Sequence, residues 1–326
     1  MANLGVILFF VLSGYLISYL LQIEKSEFSK IDLPKFYIRR ILRIWPIYYV
    51  IILICCILLM SNQHFINFPE INIHKTILFY SLFISNIAYG LGLTFPLITP
   101  LWSVGTEEQF YLFWPLLVNH SKKIITPSLI IFILFNIMKF FAHFIINKIE
   151  IDRIVNVIPF DIMAIGGIGA YLVYTKSKFL NYFYNPIIQI IAWGVLLESI
   201  FIKPFHLASI IDTDLNAFFY LIIIINVSSN KKTIINLEHK IFDFIGKISY
   251  GIYVYHLTVI TLVSYIFRDI IKYKVSNSVF DYLLYYSIMI ILTITVSSLS
   301  HIYFESYFLK FKYKFSKIHS VNSINK

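Results

Sequence analysis

The stretch IWPIYYVIILICCILLM (Ile44–Met60) contains no Asp, Glu, Lys or Arg. It reads as most of a membrane-spanning helix, which needs about 20 predominantly apolar residues. Four further stretches, Leu4–Leu21, Thr76–Leu93, Ile248–Phe267 and Tyr282–Phe304, are equally free of charge. Five weaker candidates are apolar, but all except Ile162–Thr175 contain charged residues: Val104–Val118 (Glu107 and Glu108), Ile124–Ile146 (Lys139), Ile162–Thr175, Pro186–Ile202 (Glu198) and Leu207–Ser229 (Asp212 and Asp214). Of the 326 residues, 59% are hydrophobic and 13% charged, and the mean hydropathy is +0.77. A soluble domain of this length has no use for so much apolar surface, so the bilayer is the solvent. The fold class expected is all-α, a polytopic transmembrane helix bundle.

The formal net charge is +10, yet no soluble basic module interleaved with aromatics accompanies it, so nucleic acid is not expected as a partner. Lys and Arg read instead as topology signals. Lys25, Lys30, Lys35, Arg39, Arg40 and Arg43 crowd the first connection, whereas Ser61–Lys75 holds only Lys75. The first connection is therefore cytoplasmic. If all ten segments cross, 12 Lys and Arg fall inside and 14 outside, so the bias disappears. If one segment between Thr76 and Val118 fails to cross, 19 Lys and Arg fall inside against seven outside. About nine crossings are expected, with a re-entrant or interfacial stretch at Phe95–Val118, which contains Pro96, Pro100 and Pro115. Irregular backbone at that depth is tolerated only beside protein or water, which makes it a natural place for a site.

Cys55 and Cys56 are adjacent within an apolar run and suggest neither a disulfide framework nor a metal site. Leu4–Leu21 lacks a basic n-region and a small-residue cleavage site, so it is expected to be a permanent helix rather than a signal peptide. No G-x-S-x-G, P-loop, G-x-G-x-x-G or H-E-x-x-H pattern occurs, which leaves hydrolase, nucleotide-driven and zinc-protease chemistry without support.

Three stretches carry chemistry. In KFYIRRILRIWPIYY (Lys35–Tyr49), Arg40 and Arg43 stack on one helical face at the mouth of a span. Two guanidiniums there suit a phosphate or pyrophosphate, although a juxtamembrane Arg cluster also anchors to anionic lipid. In PLWSVGTEEQFYLFWP (Pro100–Pro115), Glu107 and Glu108 open an aromatic, apolar segment with no basic residue between Lys75 and Lys122. Intramembrane acids are functional candidates and suit general acid–base work; the competing reading is an interfacial pair facing water. In KISYGIYVYHLTVI (Lys247–Ile260), His256 lies among Tyr250, Tyr253 and Tyr255, as a titrating or acceptor-binding residue or as a structural hydrogen-bonding one. His301 and Glu305, one turn apart, invite the same two readings.

Taken in order, GVILFFVLSGYLIS (Gly5–Ser18), FYIRRILRIWPIYY (Phe36–Tyr49), LWSVGTEEQFYLFWP (Leu101–Pro115), IGKISYGIYVYHLTVI (Ile245–Ile260) and YFESYFLKFK (Tyr303–Lys312) resemble the acyltransferase 3 family of bacterial membrane-bound O-acyltransferases. The resemblance implies a transmembrane domain over residues 1–312 and a basic cytoplasmic tail over 313–326. It implies a multi-pass protein of the bacterial inner membrane that moves an acyl group, usually acetyl, from acyl-CoA to a hydroxyl of an envelope glycan or lipid-linked sugar. No bound cofactor or metal is implied; acetyl-CoA is the expected donor substrate, and acyl-CoA, the glycan acceptor and the bilayer are the expected partners. Glu107 matches the acid of the family's W-S-x-x-x-E element and is the expected catalytic residue. Arg40 and Arg43 match its R-x-x-R element. With Trp102, Ser103, Glu108, Tyr250, His256 and Glu305 they form the expected substrate-binding set. The family normally carries an essential His on a helix ahead of F-F-V-L-S-G, and here no His precedes His64, so the first family helix is expected to be missing. A glycan-intermediate transporter and a catalytically silent family member are the alternatives.

Overall fold

The structure is a computed structural model and describes residues 2–61, 72–202, 211–267 and 278–315. The described residues form helices and no strand. In chain order these are α1 (Ala2–Phe28), α2 (Leu33–Ser61), α3 (Ile73–Ser81), α4 (Ser85–Gly90), α5 (Leu101–His120), α6 (Ile125–Phe140), α7 (Ile149–Asn156), α8 (Phe160–Tyr174), α9 (Leu180–Phe183), α10 (Pro186–Phe201), α11 (Asp212–Ser229), α12 (Lys240–Tyr265), α13 (Val279–Ser300) and α14 (Ser306–Lys314). Phe141–Ile146 after α6 and His301–Glu305 after α13 are π-helical. Among the described residues, six helical segments are long and apolar enough to cross a bilayer: Gly5–Phe28, Leu33–Met60, Ile125–Ile146, Ile149–Tyr174, Lys240–Tyr265 and Val279–Lys312. An all-helical outcome follows from the solvent, because each helix satisfies its own backbone groups where no water can. The tail beyond 315 and the segment holding His64 lie outside the described residues.

The chain divides into two compact units. Among the described residues, one holds 2–33 and those within 106–237, and the other holds 34–105 and those within 238–315. In the first unit, α8 packs against α1, α6 and α11. Glycines permit the α1–α8 approach: a Cβ on Gly14 would lie 2.0 Å from the Met163 carbonyl oxygen, and one on Gly166 2.2 Å from that of Val11. Close backbone approach through small residues substitutes for the hydrophobic drive that lipid does not supply. Gly14→Val is therefore expected to destabilise the fold by about 1–3 kcal/mol, as overpacking does, and to lower the unfolding temperature measured in detergent.

In the second unit, α12 packs along α13, and α3 packs against α4. Here the structure corrects an expectation. Thr76–Leu93, expected as one span, is two short helices, whereas Leu101–His120 within the expected broken stretch is a continuous helix with Pro115 inside it. The break falls at Phe83, which adopts a left-handed conformation (φ 58°), uncommon for a bulky side chain. Its ring is docked on three aromatics of α2, with centroids 4.3 Å from Tyr48, 5.1 Å from Trp45 and 5.7 Å from Tyr49. The same helix supplies donors to the interrupted backbone. Tyr48 Oη donates to the Tyr80 carbonyl at 2.7 Å and Tyr49 Oη to that of Ser81 at 3.0 Å. The non-helical link is thus satisfied by protein, as irregular backbone at membrane depth requires.

Candidate functional site

In the first unit, α1 and α5 run side by side in the same direction, joined by polar contacts. Midway along both helices, Ser13 Oγ of α1 and Tyr111 Oη of α5 both donate to Glu107 Oε1 of α5, and the two hydroxyls also meet each other. All three side chains are buried. Further along, Trp114 Nε1 donates to Ser18 Oγ at 3.0 Å. At the far end, Lys25 Nζ donates to the carbonyls of Val118, Asn119 and Ser121 at 2.7, 2.8 and 2.6 Å. An ammonium on the last carbonyls of a helix satisfies orphan acceptors and complements the helix dipole. This lacing fixes the register that puts Ser13 against Glu107. Chemically, Glu107 is an acidic side chain held by two hydroxyls in one orientation, able to take up or release a proton. Ser13 and Tyr111 lie within the motifs quoted above, yet neither is charged, so spacing alone did not mark them.

The first unit also contains a charge cluster that the apolar patterning obscured. Lys139 of α6 pairs with Asp161 of α8, and Lys139 Nζ lies 4.0 Å from Asp214 Oδ1 of α11. Asp161 is wholly buried and Lys139 is 5% exposed.

In the second unit, Arg40 lies over the Phe36 ring at 5.5 Å, and Arg39 Nη1 donates to the Phe315 carbonyl at 2.9 Å. Arg43 is exposed and acts electrostatically on Glu305. Lys312 lies within the fields of Arg39, Arg40 and Arg43. The end of the chain's last described helix thus joins the arginine-rich entrance of α2, and Lys312 adds a cation that sequence separation concealed. Glu305 is buried against Gly251 of α12, where a Cβ would come 3.4 Å from its Oε1, and His301 Nδ1 lies 3.5 Å from its Oε2. Tyr250 Oη donates to the carbonyl of Ile44 at 2.9 Å, tying α12 to α2 next to Arg43.

Ser103 Oγ lies 2.6 Å from Tyr253 Oη, which donates to the Pro100 carbonyl at 3.0 Å. Trp102 stacks on Tyr89 with centroids 5.3 Å apart. His256 Nδ1 is 2.6 Å from the Tyr253 carbonyl. A carbonyl only accepts, so this nitrogen carries the proton, and in the neutral ring Nε2 is left as the acceptor. Glu108, beside Glu107, is half-buried. Within this unit, then, Arg43, Glu305 and Tyr250 converge, while Trp102, Ser103 and His256 are positioned by Tyr89 and Tyr253. Among the described residues, no group of three or more His, Cys, Asp or Glu is arranged to hold a metal ion.

A bundle of apolar helices with buried carboxyls, hydroxyls and a cationic entrance defines a multi-pass membrane protein equipped for polar chemistry. The acyltransferase 3 family, described as an acyltransferase domain, matches residues 1–302. The chain belongs to that family. It is 35% identical over 140 residues to a peptidoglycan O-acetyltransferase, OatA, of Listeria monocytogenes, a match covering 39% of this chain and 22% of the relative. It is 38% identical over 141 residues to the O-acetyltransferase OatA of Staphylococcus aureus, covering 40% and 23%. These matches span less than a quarter of the length of either relative. No solved structure matches the chain.

Proposed function

We propose that the chain is a membrane-bound O-acyltransferase that moves an acetyl group from acetyl-CoA to a hydroxyl of a cell-envelope glycan. The observation that carries this reading is Glu107, a buried acid of a family acyltransferase domain, held by Ser13 and Tyr111. In the reaction, the acceptor oxygen bonds to the thioester carbonyl carbon and the carbon–sulfur bond breaks. The hydroxyl proton leaves the acceptor and ends on the coenzyme A thiol. Glu107 handles that proton or orients the base that does, and a positioned acid or base is worth about 10²–10⁴-fold in rate. Arg40 and Arg43 grip the donor's phosphates, Arg through a planar fork suited to bidentate recognition. Trp102, Ser103, Glu108, Tyr250, His256 and Glu305 complete the substrate-binding set. The names of the relatives support a glycan acceptor, since one is a peptidoglycan O-acetyltransferase.

Binding of coenzyme A to the chain reconstituted in lipid nanodiscs tests the donor assignment. Arg40→Ala and Arg43→Ala are each expected to weaken binding by about tenfold or more, given that a charged hydrogen bond contributes roughly 1.5–3 kcal/mol. Unchanged affinity in both variants would return the cluster to lipid anchoring.

Topology follows from the distribution of basic residues. The start of α1 faces outward and α14 faces the cytoplasm of a bacterial inner membrane. A cysteine placed at Lys314 is expected to react with a membrane-impermeant thiol reagent in inverted vesicles and not in intact spheroplasts. Labelling from the outside would contradict the nine-crossing arrangement.

A further inference from the structure

Lys139, Asp161 and Asp214 come from three helices of one unit, and the proposed acyl transfer uses none of them. Lys139 Nζ pairs with Asp161 Oδ2 and lies 4.0 Å from Asp214 Oδ1. The side chains of Asp161, Lys139 and Asp214 are 0%, 6% and 12% exposed. Fully ionised, the triad would hold two negative charges and one positive, a net negative charge among apolar helices. Isolated buried charges are not tolerated there and are neutralised instead.

The geometry says where the neutralising charge sits. Asp161 Oδ1 and Asp214 Oδ1 are both buried, and among the described residues no protein donor reaches either. The two carboxyl groups instead share one ammonium: Asp161 Oδ2 pairs with Lys139 Nζ, Asp214 Oδ1 lies 4.0 Å from it, and Asp161 acts electrostatically on Asp214. Two carboxylates are acceptors only, so a hydrogen bond between them needs a proton on one of the pair. The groups acting on Asp214 are Asp161, Lys139 and the Asn136 amide, with Asn136 and Lys139 on α6. The nearby His143 is turned toward Asp152 at 3.6 Å, where both side chains are more than a third exposed.

We infer that Lys139, Asp161 and Asp214 form a buried proton-binding site, in which one exchangeable proton is shared between the two carboxyls opposite the lysine ammonium. The proton closes the α6–α8–α11 packing. Its departure leaves an uncompensated charge between α8 and α11, so the site links the conformation of this unit to proton occupancy.

Infrared spectroscopy of the whole chain in lipid nanodiscs at neutral pH tests the inference. The difference spectrum of wild type minus Asp214→Asn is expected to contain the carbonyl stretch of a protonated carboxyl, shifting on transfer to deuterated water. A difference containing only carboxylate bands would overturn it, because the triad would then carry two ionised acids. Loss of the protonated band on adding sodium chloride would also overturn it, by showing that the site takes a metal cation. Where Asp214→Asn fails to fold, solid-state NMR of wild type labelled at the aspartate carboxyl carbon decides the matter. One protonated aspartate is expected, and none would refute the site.

Discussion

Glu107→Gln is expected to reduce acetyl transfer to the glycan about 10²–10⁴-fold, the usual loss when a positioned acid or base is removed, while expression and membrane insertion stay normal. Glutamine keeps the shape of the side chain and can still accept from Ser13 and Tyr111, so the packing of α1 on α5 should persist. What it lacks is the capacity to take up a proton. Ser13→Ala and Tyr111→Phe each remove one donor that orients the carboxylate. Their expected losses are smaller, about tenfold each, and fall on turnover rather than on donor affinity. Glycan acetyl content measured by mass spectrometry, alongside coenzyme A binding, separates these outcomes. A Glu107→Gln enzyme of normal turnover would remove the acid from the mechanism.

The largest effect on stability is expected at Lys139. Replacing it by Met leaves Asp161 and Asp214 facing each other without their ammonium. Breaking a buried pair by removing one partner typically costs ~3–5 kcal/mol, because the remaining charge is uncompensated. Thermal unfolding in detergent should show a correspondingly large loss. Pairing Lys139→Met with Asp161→Asn removes one charge of each sign and should restore most of it. A single variant as stable as wild type would show that the triad contributes nothing to the packing of α6, α8 and α11.

The helical, membrane-embedded architecture was legible because it depends on local composition: runs without charge can satisfy their backbone only as helices. The interruption of Thr76–Leu93 was not legible. No Gly or Pro marks Phe83, and its left-handed conformation depends on a ring docked against Trp45, Tyr48 and Tyr49, a tertiary contact that overrides local preference. Pro115 misled in the opposite direction, because proline inside a membrane helix is tolerated where neighbours compensate for the lost hydrogen bond. Among the candidate residues, Glu107 stood out as an acid costly in lipid, Arg40 and Arg43 as a cationic pair at the mouth of a span, and Glu305 as a carboxylate one turn from His301. Their partners did not. Ser13, Tyr111 and Lys312 are unremarkable in composition, and only the fold brings them to those groups. Lys139 was visible as a charge within a span, but its acids are 22 and 75 positions away, and nothing in the sequence pairs them.

The most direct test of the account is acetyl transfer itself. The protein, together with whatever segment its gene encodes ahead of Met1, is reconstituted in proteoliposomes with envelope glycan as acceptor and acetyl-CoA carrying an isotopically labelled acetyl group as donor. Release of free coenzyme A that depends on the glycan is expected, with the labelled acetyl mass appearing on a glycan hydroxyl and both signals falling together in Glu107→Gln. Glycan crossing the membrane unmodified, with acetyl-CoA left intact, would contradict it.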